Sequence, residues 1–142
     1  MWQDLFDKLY KALSILELLA MPPKIIKLAT YIRDYEGAPG DRNYRNNNPG
    51  NCRYYDGGYL KKYGNVKQDK DGFAIFPTYD QGFLYLCNML LNWAKTTRKD
   101  WTILKLMQSY APGSDGNNPE AYAANLSKRL GLSASVTLKE LL

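Results

Sequence analysis

Apolar residues recur at helical spacing from the start of the chain. Trp2, Leu5, Phe6, Leu9, Leu13, Leu16 and Ala20 fall on one side, with Gln3, Asp4, Asp7, Lys11, Ser14 and Glu17 on the other. That period predicts an amphipathic helix over residues 1–21. Its apolar face is expected to pack into the core, with a membrane or a partner as the alternatives. In "MPPK", residues 21–24, proline cannot continue the first helix but suits the first turn of a second. The second helix carries Ile25, Ile26, Leu28, Ala29 and Ile32 to about Glu36, where Gly37 and Pro39 stop it.

Residues 37–77 change character. Gly, Asn, Pro and Asp are dense, and the short pieces "CRYY", "YLKKY" and "GFAIF" predict a small, irregular antiparallel sheet. Asn48-Pro49-Gly50-Asn51 reads as a tight turn. Helical spacing then returns. Thr78 and Gln81 predict a capping box for a helix whose apolar residues Phe83, Leu84, Leu86, Cys87, Leu90, Leu91 and Ala94 nearly encircle it, which predicts burial. Thr102 opens a shorter helix ending near Tyr110 and Pro112. Asn118 and Pro119 open another that Gly131 stops, and Thr137 with Glu140 predicts a last capped turn. Helices, a small sheet, then helices again make an α+β fold, mainly helical, in one compact domain.

Composition narrows the chemistry. The chain has 142 residues, 45% of them hydrophobic, which suits one domain with its own core. It holds 12 tyrosines, whose flat faces and hydroxyls suit sugars. It holds no histidine, which removes Ser-His-Asp and Cys-His machinery and His-ligated zinc. Cys52 and Cys87 are too few for a disulfide framework; two free thiols are expected, and one bridge stays open. No metal or organic cofactor is expected. Asp4, Asp7, Lys8, Lys11 and Glu17 interrupt any membrane span in the first helix, and the basic n-region of a signal peptide is missing. Synthesis in the cytoplasm without a signal peptide is the expectation, and so is a monomer. The net charge of +5 favours an anionic partner. A nucleic acid is not expected, because no arginine-rich helix or base-stacking motif stands out.

Two candidate groups remain. Glu36 sits at a helix end beside a glycine that lets the chain turn away. The helix dipole and burial there favour a neutral carboxyl, which can donate a proton to a leaving oxygen. A solvent-facing glutamate is the alternative. The loop that follows supplies Asn43, Asn46, Asn47, Asn48 and Asn51, with Tyr44, Tyr54 and Tyr55 as flat faces. Amides offer the paired donors and acceptors that hydroxyl- and acetamide-bearing sugars require, although asparagines also hold turns through their own backbone. Asn48 and Asn51, flanking the turn, and Tyr44 are taken as substrate-binding candidates.

"YEG" closing a helix, then "RNNNPGNCRYY", "DGFAIFPTYDQG" and "SYAPGSDGNNPEAY", resembles phage-associated peptidoglycan-cleaving domains of the lysozyme-like superfamily, among them lytic transglycosylases and muralytic virion proteins. The similarity covers roughly residues 25–142. It implies a lysozyme-like catalytic domain over 22–142, with a helical lobe and a small sheet flanking a glycan cleft. It places the family's general acid on Glu36, a tyrosine near that acid on Tyr110, and a further substrate contact on Asn118. It also implies bacterial peptidoglycan as partner, reached by release from the cell or delivery in a virion. The family keeps a glutamine within the "GFAIFP" segment; this chain has Ala74 and Ile75 there, with Gln81 nearby.

Glycoside hydrolysis ordinarily takes two carboxyl groups. Near Glu36 the other acids are Asp41, which could fold back from "GAPG", and Asp56, which reads as a turn residue. Asp69 and Asp71 flank Lys70 at an expected hairpin tip. A lytic transglycosylase needs one carboxyl group only: it protonates the glycosidic oxygen, then draws the proton from the sugar's own 6-hydroxyl. One-carboxylate cleavage between N-acetylmuramic acid and N-acetylglucosamine is the expected activity. Hydrolysis with Asp41 as second carboxylate, and a virion module that grips peptidoglycan without cutting, are the alternatives.

Overall fold

The computed structural model describes residues 2–110, 118–133 and 135–142, the side chains of Tyr59 and Tyr110 aside. Among the described residues there are six α-helices and one two-stranded antiparallel sheet, a mainly helical α+β arrangement. The helices are α1 (Trp2–Leu19), α2 (Pro23–Glu36), α3 (Arg42–Arg45), α4 (Tyr79–Lys95), α5 (Ile103–Tyr110) and α6 (Pro119–Leu130). The strands are β1 (Lys67–Gln68) and β2 (Ala74–Ile75), and 3-10 turns cover Gly58–Tyr63 and Leu138–Leu141. The chain groups into two compact units: Met1–Met21 with Ala29–Met89, and Pro22–Leu28 with Leu90–Leu142. No described helix is long and apolar enough to cross a membrane.

The first unit is built on an aromatic cluster. Tyr63 meets Tyr85 edge-on at 5.2 Å and Phe76 at 6.0 Å between ring centroids, the geometry that ring quadrupoles favour. Ile32, Leu60, Leu84 and Leu86 complete this core. From Gln81 to Cys87 every residue of α4 is buried, as its encircling apolar pattern predicts. Gly82 is there for space. A Cβ on it would overlap the carbonyl oxygen of Asn47, so the asparagine loop lies directly on the helix backbone.

The expected box at Thr78 forms in part: Thr78 Oγ1 accepts from Gln81 N at 3.4 Å, while the Gln81 side chain makes other bonds. The Thr78 hydroxyl donates to Gln81 Oε1 at 2.7 Å, and Gln81 Nε2 donates to the Tyr63 carbonyl at 2.8 Å. Gln81 therefore ties the start of α4 to the 3-10 turn, and both ends of its buried amide are satisfied.

The sheet is smaller than the sequence suggests. β1 and β2 pair Lys67 with Ile75 and Gln68 with Ala74. The hairpin tip between them is held by Asp69, whose Oδ1 accepts from the N–H groups of Asp71 and Phe73. "CRYY" contributes a single bridge, Arg53 to Phe73. "YLKKY", expected extended, is a 3-10 turn instead. Leu60 and Tyr63, three residues apart, are both buried, and a three-residue repeat is what aligns them on one side of a 3-10 turn.

The larger correction concerns α1. Trp2, Leu5, Phe6, Leu9, Leu13 and Leu16 are exposed, by 49 to 68%, and do not form core. The side that meets the unit carries Tyr10, Ser14 and Leu18, and Glu17 pairs with Lys62 at 3.2 Å. Ser14 can be buried there because its hydroxyl donates to the Tyr10 carbonyl within the helix.

In the second unit, α5 and α6 pack together over Ile103, Leu106, Met107, Leu126, Leu130 and Leu138. The caps stand where the sequence places them. Thr102 Oγ1 accepts from Lys105 N, Asn118 Oδ1 accepts from Ala121 N, and Gly131 ends α6 in the left-handed conformation. Glu140 Oε2 accepts from the N–H and hydroxyl of Thr137 at 2.7 and 2.9 Å.

Candidate active site

Glu36 is the last residue of α2 and is half-buried. Asn51 Nδ2 donates to its Oε2 at 3.1 Å. Burial pushes the carboxyl above its ordinary value of 4.5, and the Asn51 bond pulls the other way without cancelling it. The two forces act on different states: desolvation disfavours the anion, and the amide N–H steadies it once formed.

The loop reaches Asn51 by folding back immediately after Glu36. A Cβ on Gly37 would stand 2.5 Å from Asn43 Oδ1 and 2.9 Å from Asp41 Cβ, so only glycine lets those side chains close over the helix end. Each asparagine then makes a separate tie. Asn43 Nδ2 donates to the carbonyls of Arg33, in the last turn of α2, and Pro49. Asn46 Nδ2 donates to Asp69 at the hairpin tip, and Asn47 Nδ2 to the Phe76 carbonyl. Asn48 Nδ2 donates to the carbonyls of Cys52 and Ala74, both at 2.9 Å, and its Oδ1 accepts from Cys52 N. Asn51 alone meets Glu36. Its φ of 48° and that of Asn47, 50°, lie in the left-handed region that asparagine tolerates best after glycine.

The expectation that Asn48 contacts substrate gives way to this geometry. The residue has no exposed surface, and its amide is spent on backbone groups, so it frames the turn. Asp41 Oδ2 accepts from Ala38 N at 2.8 Å, a local turn bond beside Gly37. Tyr44 stacks on Tyr79 with ring centroids 6.3 Å apart. Asn118 belongs to the second unit, where its side-chain oxygen caps α6. Tyr110 closes the backbone of α5, but its side chain and residues 111–117, which hold "APGSDGN", lie outside the described residues.

Cys52 follows Asn51 and lies near the acid. Burial, and to a lesser degree the charge of Glu36, pushes its thiol up to about 12. A thiol so placed is no nucleophile at neutral pH. Cys52 and Cys87 are both free. Among the described residues no cluster of three or more His, Cys, Asp or Glu side chains is placed to hold a metal ion.

No protein-family model, curated protein or solved structure matches the chain. The site is therefore read from its own geometry.

That geometry adds two residues the sequence reading passed over. Arg33, one turn before Glu36, donates from Nη1 to the Tyr79 hydroxyl at 3.0 Å and pairs with Asp34 at 2.9 Å. Tyr79 stacks between Tyr44 and Phe83, the latter at 5.9 Å. Burial raises the Tyr79 phenol and Arg33 opposes it. The sequence signal was a one-turn spacing, Arg33 to Glu36; nothing local linked it to a tyrosine 46 residues on.

Asn51→Gly separates the amide from the backbone. Glycine keeps the left-handed conformation and removes the N–H that steadies the Glu36 anion. The Glu36 carboxyl should titrate at still higher pH in this variant, measured by NMR with a labelled glutamate side chain. Asn51→Ala removes the same amide and adds left-handed strain of about 1–2 kcal/mol relative to Asn51→Gly. Equal stabilities for the two would show that the turn is not held left-handed.

Proposed function

We propose that this chain cleaves the β-1,4 bond between N-acetylmuramic acid and N-acetylglucosamine in bacterial peptidoglycan, with Glu36 as general acid and then base, in the manner of a lytic transglycosylase. The Glu36–Asn51 pair carries the reading. The acid protonates the glycosidic oxygen as the C–O bond breaks, leaving an oxocarbenium-like sugar and the Glu36 carboxylate. That carboxylate then accepts the proton of the sugar's 6-hydroxyl, whose oxygen closes the 1,6-anhydro ring. One side chain must therefore be stable both with and without its proton. Burial favours the neutral form, and the Asn51 N–H favours the charged one. An amide also carries an acceptor, so Asn51 can meet the protonated acid by turning its oxygen toward it.

Tyr44 stacked on Tyr79 gives a flat apolar face of the kind that sugar rings pack on. The resemblance of "YEG", "RNNNPGN" and "GFAIFP" to peptidoglycan-cleaving domains supports the substrate class. The net charge of +5 suits an anionic wall. The glutamine that the family keeps in "GFAIFP" has no counterpart in Gln81, whose amide is used up inside the fold.

Asp41 supports a second reading. Its carboxylate lies beside Gly37, the residue that follows Glu36. A second carboxylate so placed suits a hydrolase that activates water.

Purified sacculi decide between them. Mass spectrometry of the released muropeptides is expected to show 1,6-anhydro ends, with release slowing as salt screens the wall. Reducing ends would mean hydrolysis instead, with Glu36 still the acid and Asp41 holding the water. Binding to sacculi with no released fragment would leave a non-catalytic wall-binding module.

A further inference from the structure

We infer that the outward face of α1 is the interface of a homodimer, two copies packing α1 against α1 about a two-fold axis. Trp2, Phe6, Leu9, Leu13 and Leu16 are spaced four, three, four and three residues apart. That is the repeat of the a and d positions of a coiled coil, and it draws a seam along the helix, with Ile15 and Leu19 also exposed to one side of it. All five are exposed, Leu13 least at 49% and Trp2 most at 68%, and Leu5, 54% exposed, flanks the seam. The helix already has a partner on its other side, where Tyr10, Ser14 and Leu18 meet the first unit and Glu17 pairs with Lys62. The seam is thus a second face.

Size and charge choose the occupant. The six side chains expose about 600 Å², the upper end of what a monomer ordinarily shows. Two such faces together remove about 1,200 Å² from water, enough for a specific protein interface. A bacterial membrane is a poorer fit. Helices that lie on anionic lipid carry Lys and Arg along their polar side, whereas α1 carries Asp4, Asp7 and Glu17 against Lys8 and Lys11, a net charge of −1. The expectation of a monomer goes with a first helix that packs inward, and this one does not.

Light scattering coupled to size exclusion tests the dimer, run under reducing conditions from micromolar to several hundred micromolar chain. The native chain is expected to move from 16.3 kDa toward twice that mass as concentration rises. The Leu9→Glu, Leu13→Glu double variant should stay at the single-chain mass throughout. Both positions are exposed, so its circular dichroism and urea midpoint in dilute solution should match the native values. A native chain at single-chain mass at every concentration overturns the inference, and so does a double variant that doubles in mass as readily as the native. Co-flotation of the native monomer with phosphatidylglycerol vesicles would give the face to lipid instead.

Discussion

Glu36→Gln is expected to cut muropeptide release from sacculi by about 10²–10⁴-fold, the usual worth of a positioned general acid. The substitution keeps shape and polarity and removes the only proton the proposed mechanism moves through the protein. A structural role predicts something different, and stability separates the two. Because burial holds the Glu36 carboxyl above 4.5, the fold prefers its neutral form. The stability this contributes is fully present below 4.5 and is lost as pH rises through the raised value. Glutamine has no proton to lose. The variant should therefore unfold at higher urea than the native chain at neutral pH, with the two midpoints converging in acid. Activity of the native chain should fall over the same rise in pH in which this proton-linked stability is lost, since both report one proton. A variant that clears walls at the native rate removes Glu36 as the acid. A variant that loses stability at neutral pH shows the carboxylate to be a structural anchor.

Gly82→Ala should cost about 3 kcal/mol or more, a large value for the gain of one methyl group. In an open helix the change would be favourable, since alanine is the better helix former. Here the added carbon meets the Asn47 carbonyl, a backbone atom with little room to retreat. Asn47 is held on both sides: its φ is 50° and its amide donates to the Phe76 carbonyl. Urea unfolding measures the loss. The displaced loop also carries Asn51, so the surviving folded fraction should show Glu36 titrating as it does in Asn51→Gly. A change below about 1 kcal/mol, small by the standard of an ordinary point substitution, would mean that the loop does not rest on α4.

The helices were legible because their signals are local. Apolar spacing gives α1, the proline pair gives the break before α2, and Asn118-Pro119 gives the start of α6. What α1 packs against was not legible. Its strongest apolar stripe points outward and a side with Ser14 points inward, so periodicity named the helix but chose the wrong face. "YLKKY" failed for a different reason: five residues hold too few apolar positions to tell Tyr59 with Tyr63 on one strand face from Leu60 with Tyr63 on one side of a 3-10 turn. At the site, Glu36 could be found from its position at a helix end. Its partner could not be singled out among five asparagines. The ties that distinguish them run to Arg33, Ala74 and Phe76, up to 29 residues away, and each sets which amide is left over for the acid.

Most of those ties end on main-chain oxygens. The carbonyls of Arg33, Pro49, Cys52, Ala74 and Phe76 would be present whatever side chains those positions carried. Tolerance to mutation should therefore be lopsided: neighbours can drift freely as long as the backbone path is kept, while the amides that read that path cannot be exchanged. A saturation library scored for folding should show this as a few intolerant columns at Asn43, Asn47 and Asn48 among permissive ones. Such a pattern lets a site persist in chains whose overall sequences have diverged beyond recognition.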